Sequence, residues 1–295
     1  MTVACFVRKL TPCVAVTVMC ALPAPAVRAG TAVPCEPIPV TRHDAGAPVD
    51  VRSARAITIA SLNVAGQPEI GDAITDWAES RAIDILLLQE VGHDSFDGAV
   101  FIAALSERLR FHSVYAPANV MGDNTQGLAI VSRYPLGDVH VLPLAYHHLR
   151  FKSRCRIALA ATAALADGPV RVVNVHLDTR INSKERVEQL SPVLDALDDH
   201  DAPQLIGGDF NTMNVFWFRT MWPLLYLQKQ TVAVAERLAA SGFHTPFRGT
   251  RATFKFLHLP LRLDWLYVKR LKPIDWNVDT IPLTDHRGVW ARVGK

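Results

Sequence analysis

The stretch that decides the fold of this chain is Gly207-Gly208-Asp209-Phe210-Asn211-Thr212. It follows the short run 204–206 (QLI), so the sequence predicts a buried strand that ends at two glycines, where the backbone turns sharply. Asp209 and Asn211 are then two positions apart at the mouth of that strand. A carboxylate supplies charge, and an amide orients a ligand without adding charge. The pair is therefore suited to holding a water or a phosphoryl oxygen beside a metal ion.

The same arrangement recurs along the chain, where polar residues stand at the ends of apolar, strand-like runs. A single residue of this kind means little, because a lone buried histidine or acid often has a structural partner. Several buried acids without partners would cost several kcal/mol, and a divalent cation would offset that cost. The sequence therefore predicts a metal site built from strand ends, and the residues placed in this way are Asn63, Gln89, Glu90, His176, Asp264, Asp285 and His286.

Seven short motifs follow one another along the chain: 61–64 (SLNV), 88–90 (LQE), 127–133 (GLAIVSR), 174–177 (NVHL), 207–211 (GGDFN), 263–265 (LDW) and 284–287 (TDHR). In this order they resemble the endonuclease/exonuclease/phosphatase superfamily, to which pancreatic deoxyribonuclease, abasic-site endonucleases, inositol polyphosphate 5-phosphatases and bacterial sphingomyelinases belong. One such motif occurs by chance, whereas all seven in the family's order form a specific signal. The resemblance runs from about residue 57 to residue 293.

The resemblance implies an α+β fold of the deoxyribonuclease I-like kind. This is a four-layer α/β/β/α sandwich, in which two mostly antiparallel sheets pack face to face and the helices lie outside. The local apolar spacing predicts helices at 70–81, 97–109 and 184–198. In the second of these, Val100, Phe101, Ala104 and Leu105 are expected to face inward.

The resemblance also implies roles for the residues that match the family's motifs. Glu90 is the expected main metal ligand, with Asn63 and Asp285 near the same ion. Mg²⁺ is the expected cofactor, because it prefers oxygen ligands, and Mn²⁺ is the alternative. Asp264 is expected to pair with His286 and to fix its tautomer. His286 is then either the general base or an imidazolium that stabilises the phosphate.

Asp209 is the competing candidate for the general base. Asn211 is expected to orient the attacking water or the phosphate, and His176 to donate to a phosphate oxygen. No acidic partner for His176 is evident in the sequence. Arg154 and Arg156 precede a strand and are candidate phosphate ligands, because a guanidinium pairs bidentately. A solvated charged turn is the alternative for both arginines.

The first 29 residues have the order typical of a secretory signal. Arg8 and Lys9 precede the uncharged apolar run 10–22, and small residues follow. A membrane anchor is the alternative, but this run is shorter than the roughly 20 residues that a span needs. We therefore expect a secreted or periplasmic protein with a signal peptide at 1–29, an extended arm at 30–55 and one catalytic domain at 56–295.

Loss of the signal segment changes both the charge and the cysteine content. It takes the net charge from +3 to zero, because 28 basic residues then face 28 acidic ones. Non-specific nucleic-acid binders usually carry a basic field, so a neutral mature chain weakens a nuclease hypothesis. Cys35 and Cys155 are the two cysteines that remain. The sequence leaves open whether they form a disulfide or stay as buried or free thiols.

Residues 213–227 are apolar on nearly every side and include Phe218 and Trp222. One hypothesis is a lid or wall that packs on the core. The other is a partly exposed aromatic surface at a lipid interface, where tryptophan and tyrosine are favoured. Residues 255–262 are a second candidate for a surface of the same kind.

The sequence therefore predicts an exported, Mg²⁺-dependent phosphoester hydrolase of the phosphodiesterase or phosphatase class. A metal-assisted water, activated by histidine and aspartate, would attack phosphorus. A DNA endonuclease or exonuclease is the first alternative, and a non-catalytic phosphoester- or membrane-binding protein is the second. The expected partner is a phosphoester substrate, either a small molecule, a lipid or a nucleic acid. No feature indicates a protein partner, and a monomer is expected.

Overall fold

The computed structural model describes Cys35 and residues 38–45, 56–198, 201–225, 229–256 and 259–295. Within these residues there are four α-helices and sixteen strands, numbered in chain order. The helices are α1 (Gly71–Ser80), α2 (Gly98–Leu109), α3 (Ser183–Asp198) and α4 (Gln230–Ala240). The strands are β1 (Thr41–Asp44), β2 (Ala56–Asn63), β3 (Ile85–Val91), β4 (His112–Met121), β5 (Asn124–Ser132), β6 (Leu136–Pro143), β7 (Ile157–Ala163), β8 (Val170–His176), β9 (Gln204–Asp209), β10 (Val215–Phe218), β11 (Trp222–Leu225), β12 (Phe254–Phe256), β13 (Leu259–Leu261), β14 (Asp264–Lys269), β15 (Lys272–Thr280) and β16 (Arg287–Gly294).

Two large sheets carry the fold. The first has seven strands in the order β1-β4-β5-β3-β2-β16-β15, and the second has five in the order β14-β9-β8-β7-β6. Within these sheets β2–β3 and β8–β9 pair in parallel, and the other neighbours are antiparallel. Strands β10–β11 and β12–β13 form two separate hairpins. The predicted α+β class with two mostly antiparallel sheets is confirmed.

The layers follow from the alternation of side chains along the central strands. In β2, Ile57 and Ile59 lie in the core between the sheets, whereas Ala60 and Leu62 belong to a second cluster with α1 and α2. Successive side chains of a strand point to opposite faces, so a strand covered on both faces is apolar throughout. Helices α3 and α4 pack on the second sheet, to give the predicted α/β/β/α sandwich.

One asparagine joins the two sheets at an irregular point of β3. The register of β3 against β5 shifts between Leu88 and Val91, and Glu90 within this bulge has φ +53°. Asn174 of β8 donates to the carbonyl oxygens of Leu88 at 2.8 Å and Ala129 at 2.9 Å. Its Oδ1 accepts from Gln89 Nε2 at 2.7 Å. The bulge that presents Glu90 is therefore held by a side chain of the opposite sheet.

Part of the predicted N-terminal arm belongs to the first sheet. Strand β1 pairs antiparallel with β4 at the sheet edge, and Cys35 forms a disulfide with Cys155. The sheet therefore begins before residue 56. The predicted signal peptide, residues 1–29, lies outside the described residues. No helix in the described part of the chain is long and apolar enough to cross a membrane.

The predicted inner face of α2 is partly wrong. Leu105 is buried as expected, but Val100 is 69% exposed and Ala104 is exposed. The buried face instead carries Ile102 and Ser106. Apolar residues surround the first turns of this helix, so their spacing alone does not single out one face.

Gly208 is required by a close approach of two backbones. Its φ is +143°, a conformation that residues with a side chain rarely adopt. A Cβ added there would overlap the carbonyl oxygen of Val175 on the neighbouring strand. The glycine therefore lets β9 pair closely with β8 one residue before Asp209.

We expect Gly208→Ala to lower the free energy of unfolding by about 2–4 kcal/mol, because it adds backbone strain and a backbone overlap. Gly137→Ala is the matched control, since Gly137 is exposed and an added Cβ meets nothing within 4 Å. The control should change stability by less than about 0.5 kcal/mol. Urea denaturation measures both, and equal stability of the two variants would contradict this account of β9.

Candidate active site

Three polar residues occupy one row across the second sheet. The strand registers pair His176 with Asp209, and Asp209 with Asp264. His286 reaches the row from the first sheet, immediately before β16. Its Nδ1 lies 2.9 Å from Asp264 Oδ2 and 3.1 Å from Asp264 Oδ1. A carboxylate only accepts, so Nδ1 carries the proton and the predicted Asp264–His286 pair is present.

The surroundings of His286 favour its charged form. Burial alone lowers the pKa of His286, but the charge and hydrogen bond of Asp264, with the charges of Asp209 and Asp285, raise it to about 10. The imidazole is therefore protonated at neutral pH in the absence of a metal ion. Its Nε2 lies 4.0 Å from Asp209 Oδ2. This geometry suits a cation that faces a phosphate better than a general base.

The environment of Asp209 is consistent with the competing prediction that it is the general base. Burial and the nearby charge of Asp264 raise the pKa of Asp209 to about 6, against the opposing effects of His286, the Asn211 backbone N–H and the Asn63 side chain. Asn211 N donates to Oδ1 at 2.8 Å, and Asn63 Nδ2 donates to Oδ2 at 3.1 Å. The Asn211 side chain donates to Leu177 O at 3.0 Å, and its Oδ1 remains available for a water.

The three predicted metal ligands lie along the same cavity as Asp209 and His286. Glu90 is half-buried on the β3 bulge, Asn63 ends β2, and Asp285 is exposed on the turn before β16. That turn is fixed to Asn63, because Thr284 Oγ1 donates to Asn63 O at 2.8 Å. All three side chains offer oxygen atoms, which is the donor set that Mg²⁺ and Mn²⁺ prefer.

A second group of possible ligands is less suited to an ion. Ligand atoms of Asp209, Asp264 and His286 lie within 4.8 Å of one another. Both oxygens of Asp264, however, contact His286 Nδ1. Asp264 and His286 are therefore already bound to each other. The assignment of the cation to Glu90, Asn63 and Asp285 stays a prediction.

His176 has a cation, not an acid, as its nearest polar neighbour. Arg156 Nη1 lies 3.1 Å from both ring nitrogens. Carboxylate oxygens of Asp209 and Glu90 are farther away, at 3.6 and 3.7 Å from Nε2. Burial, then Arg156, His286 and Arg154, hold the pKa of His176 well below its usual range. His176 is therefore neutral at physiological pH.

The two candidate phosphate ligands have different environments. Arg156 is 11% exposed, and its Nε pairs with Asp178 Oδ1 at 3.0 Å. It is therefore a packed residue beside His176, and a solvated turn does not describe it. Arg154 donates to Gln126 Oε1 and does not contact His176 directly. The role of both in substrate binding stays a prediction.

The residues that hold the loops behind the site were not evident from the sequence patterns. Arg186 of α3 is fully buried and donates to Asp178 O at 2.6 Å and Phe210 O at 2.8 Å. It also donates to Gln230 Oε1 at 3.1 Å. The sequence did contain one signal of this arrangement, namely the acid Asp178 two residues after His176. For Arg186 the sequence offered none, since arginine in a helix is usually exposed.

Residues 60–286 of the chain match the sequence model of a protein family, which is described as "Endonuclease/Exonuclease/phosphatase family". The chain belongs to this family. Members of the endonuclease/exonuclease/phosphatase family are hydrolases that use divalent metals to cleave phosphoester bonds, and this chain is an enzyme of that class. No curated protein sequence matches it significantly.

Several solved structures share the fold. A family protein from Beutenbergia cavernae is 20% identical, with a TM-score of 0.62 over 81% of this chain and 72% of that one. A family protein from Leptotrichia buccalis is 15% identical, with a TM-score of 0.63 over 80% and 98%. TDP2 from D. rerio, complexed with a single-strand DNA product, is 15% identical, with a TM-score of 0.59 over 81% and 99%. At these identities the likeness shows the fold alone.

We expect His286→Ala and Asp264→Ala to lower kcat/KM non-additively, because the carboxylate acts by holding the imidazole. Each single change should cost about 10²- to 10⁴-fold, and the double variant little more. The measurement is hydrolysis of a p-nitrophenyl phosphoester by the three variants. A double-variant loss equal to the product of the single losses would show that the two residues act independently.

Proposed function

We propose that this chain is an exported, Mg²⁺-dependent phosphoester hydrolase of the phosphodiesterase or phosphatase class, acting as a monomer. One observation carries the proposal. Oxygen and imidazole groups from both sheets meet at one cavity, where Asn63, Glu90, Asp209, Asp285 and His286 all form part of the lining. A complete set of this kind is not expected of a protein that binds phosphoesters without turnover.

The proposed catalytic role of each residue follows from its charge and hydrogen-bonding groups. A bound Mg²⁺ would polarise a phosphoryl oxygen and stabilise the developing charge. Asp209 takes a proton from the water that Asn211 orients, and that water attacks phosphorus as the bond to the leaving group breaks. His286, held by Asp264, donates from Nε2 to a phosphate oxygen.

Arg156 supplies a second positive charge beside Glu90 and His176, with which it lines a small pocket. Because His176 is neutral and Arg156 lies against it, the arginine is the group that carries charge toward the phosphate there. His176 then contributes a neutral hydrogen bond. Arg154 adds to the positive charge near His176.

The substrate is proposed to be a small or lipid phosphoester. The neutral mature chain and the many apolar residues in the cavity lining favour it. A DNA endonuclease or exonuclease is the second candidate, and the DNA product bound by D. rerio TDP2 is the observation that favours it.

We expect Glu90→Gln to reduce Mg²⁺-dependent hydrolysis by at least about 100-fold, because it removes the charge that holds the cation. Activity of purified protein is measured with bis-p-nitrophenyl phosphate, p-nitrophenyl phosphate, plasmid DNA and sphingomyelin, with and without Mg²⁺. Glu79→Gln is the matched control, since Glu79 is exposed on α1. Equal rates for Glu90→Gln and the parent at saturating Mg²⁺ would reject this metal site.

We expect the mature protein to start between Val27 and Gly30, because a basic, apolar and small-residue order precedes that point. Mass spectrometry of protein recovered from the periplasm or medium identifies the N-terminus. Recovery of the intact form beginning at Met1, confined to the cytoplasm, would refute export.

A further inference from the structure

A cavity of about 950 Å³ opens directly beside the catalytic groups. Asp209 and His286 form part of its lining, and the two hairpins β10–β11 and β12–β13 form much of its wall. The ring of Phe254 packs on the imidazole of His286, with 4.8 Å between the ring centres. The cavity is therefore continuous with the reaction centre and is larger than a phosphate group requires.

The surface of this cavity is mostly apolar. It includes five aliphatic side chains and two aromatic rings, namely Val215, Pro223, Val232, Leu261, Leu263, Trp217 and Phe254. Arg180, Lys229 and Arg262 add positive charge to the same lining. Apolar side chains bury an alkyl chain well, so the lining accommodates an apolar group attached to the scissile phosphate.

The face of the hairpin β10–β11 that points away from the cavity is also apolar, because successive residues of its strands alternate between the two faces. We call Phe151, Phe218, Trp222 and Leu224 the rim; they are 48%, 49%, 60% and 42% exposed. The loop that carries Phe151 is joined to the hairpin turn, because Arg150 N donates to Thr220 Oγ1 at 3.1 Å. Exposed aromatic residues of this kind favour the interface between water and lipid.

The charged residues in the two segments that form the rim are all basic. The exposed residues Arg150, Lys152 and Arg219 flank it, and Arg180 of the cavity lining stacks on Phe151 at 3.9 Å. The sequence has no Asp or Glu at 145–156 or 210–235. A chain that is neutral after removal of residues 1–29 thus carries local positive charge here, which complements phosphate head groups.

We propose that the cavity binds the apolar chain of an amphipathic phosphodiester, such as a phospholipid, while its phosphate lies at Asp209 and His286. This inference rests on the proposed function and specifies its substrate. The rim then contacts the lipid surface from which the substrate is drawn, and the cations Arg150, Lys152 and Arg219 face the head groups.

The test compares methyl, butyl and octyl p-nitrophenyl phosphate diesters, all below their micelle concentrations, with Mg²⁺ present. kcat/KM should rise at least about 30-fold from methyl to octyl, because each fully buried methylene is worth about fourfold. Val232→Gln should reduce that ratio about tenfold or more. Val100→Gln is the matched control, since it places the same change on an exposed valine of α2.

The outcomes separate this inference from the proposed function. Hydrolysis of all three esters at equal kcat/KM would overturn the chain-binding cavity and leave the hydrolase intact. Faster cleavage of thymidine 5′-p-nitrophenyl phosphate than of the octyl ester would overturn it in favour of a nucleotide substrate. Hydrolysis of no ester at any Mg²⁺ concentration would overturn the proposed function itself.

The source of the lipid is distinguished by binding to mixed phosphatidylcholine–phosphatidylglycerol vesicles. Co-sedimentation that Trp222→Ala weakens at least about fivefold, without a change in the octyl ester rate, supports a substrate drawn from a bilayer. An octyl preference without co-sedimentation supports a monomeric amphiphile.

Discussion

The side-chain amide of Asn174 is the interaction on which the two halves of the site depend. It is fully buried, and both its hydrogens and its oxygen are used across the gap between the sheets. An unsatisfied buried polar group costs about 1–3 kcal/mol, so the sheets cannot slide past one another without losing several such bonds. Through these bonds, Asn174 holds the bulge that carries Glu90 on the first sheet. Asn174 itself belongs to the second sheet, where it stands two residues before His176. The proposed metal side of the site is thereby held at a set distance from the phosphate side.

Charge balance is the second constraint, because the site concentrates ionisable groups that are out of water. Asp264 is matched by His286, and Asp178 by Arg156. Arg186 is matched by backbone carbonyls and by the nearby charges of Asp178 and Asp209. Burial and the charge of Asp264 raise the pKa of Asp209, and the charge of His286, whose Nε2 lies 4.0 Å away, opposes that rise. A cation at the neighbouring oxygen atoms would complete this balance, which supports the family's metal-dependent chemistry in this chain.

Much of the site was predictable because polar residues at the ends of apolar strands are a local signal. The carboxyl ends of the parallel pairs β2–β3 and β8–β9 reach the same end of the sandwich, so Asn63, Glu90, His176 and Asp209 meet there. Arg154 and Arg156 could not be told apart, because they are two residues apart in an extended segment. Their partners, Gln126 and Asp178, come from distant parts of the chain. Residues 213–227, of which 226 and 227 lie outside the described residues, were ambiguous for a similar reason. The hairpin β10–β11 has one face toward the cavity and one toward solvent, and composition does not assign residues to either.

The sequence by itself determined the family, the α+β sandwich and the identity of the main polar residues, since these depend on short motifs and on the period of apolar residues along each strand. Tertiary structure alone decided the pairing of Cys35 with Cys155, the burial of Arg186 and the charge states of His176 and His286. It also decided that two hairpins enclose a cavity beside the reaction centre. The physical reason is that burial, and with it pKa and hydrogen-bond partnership, depends on groups that are far apart in the chain. Local sequence patterns carry no information about those distances.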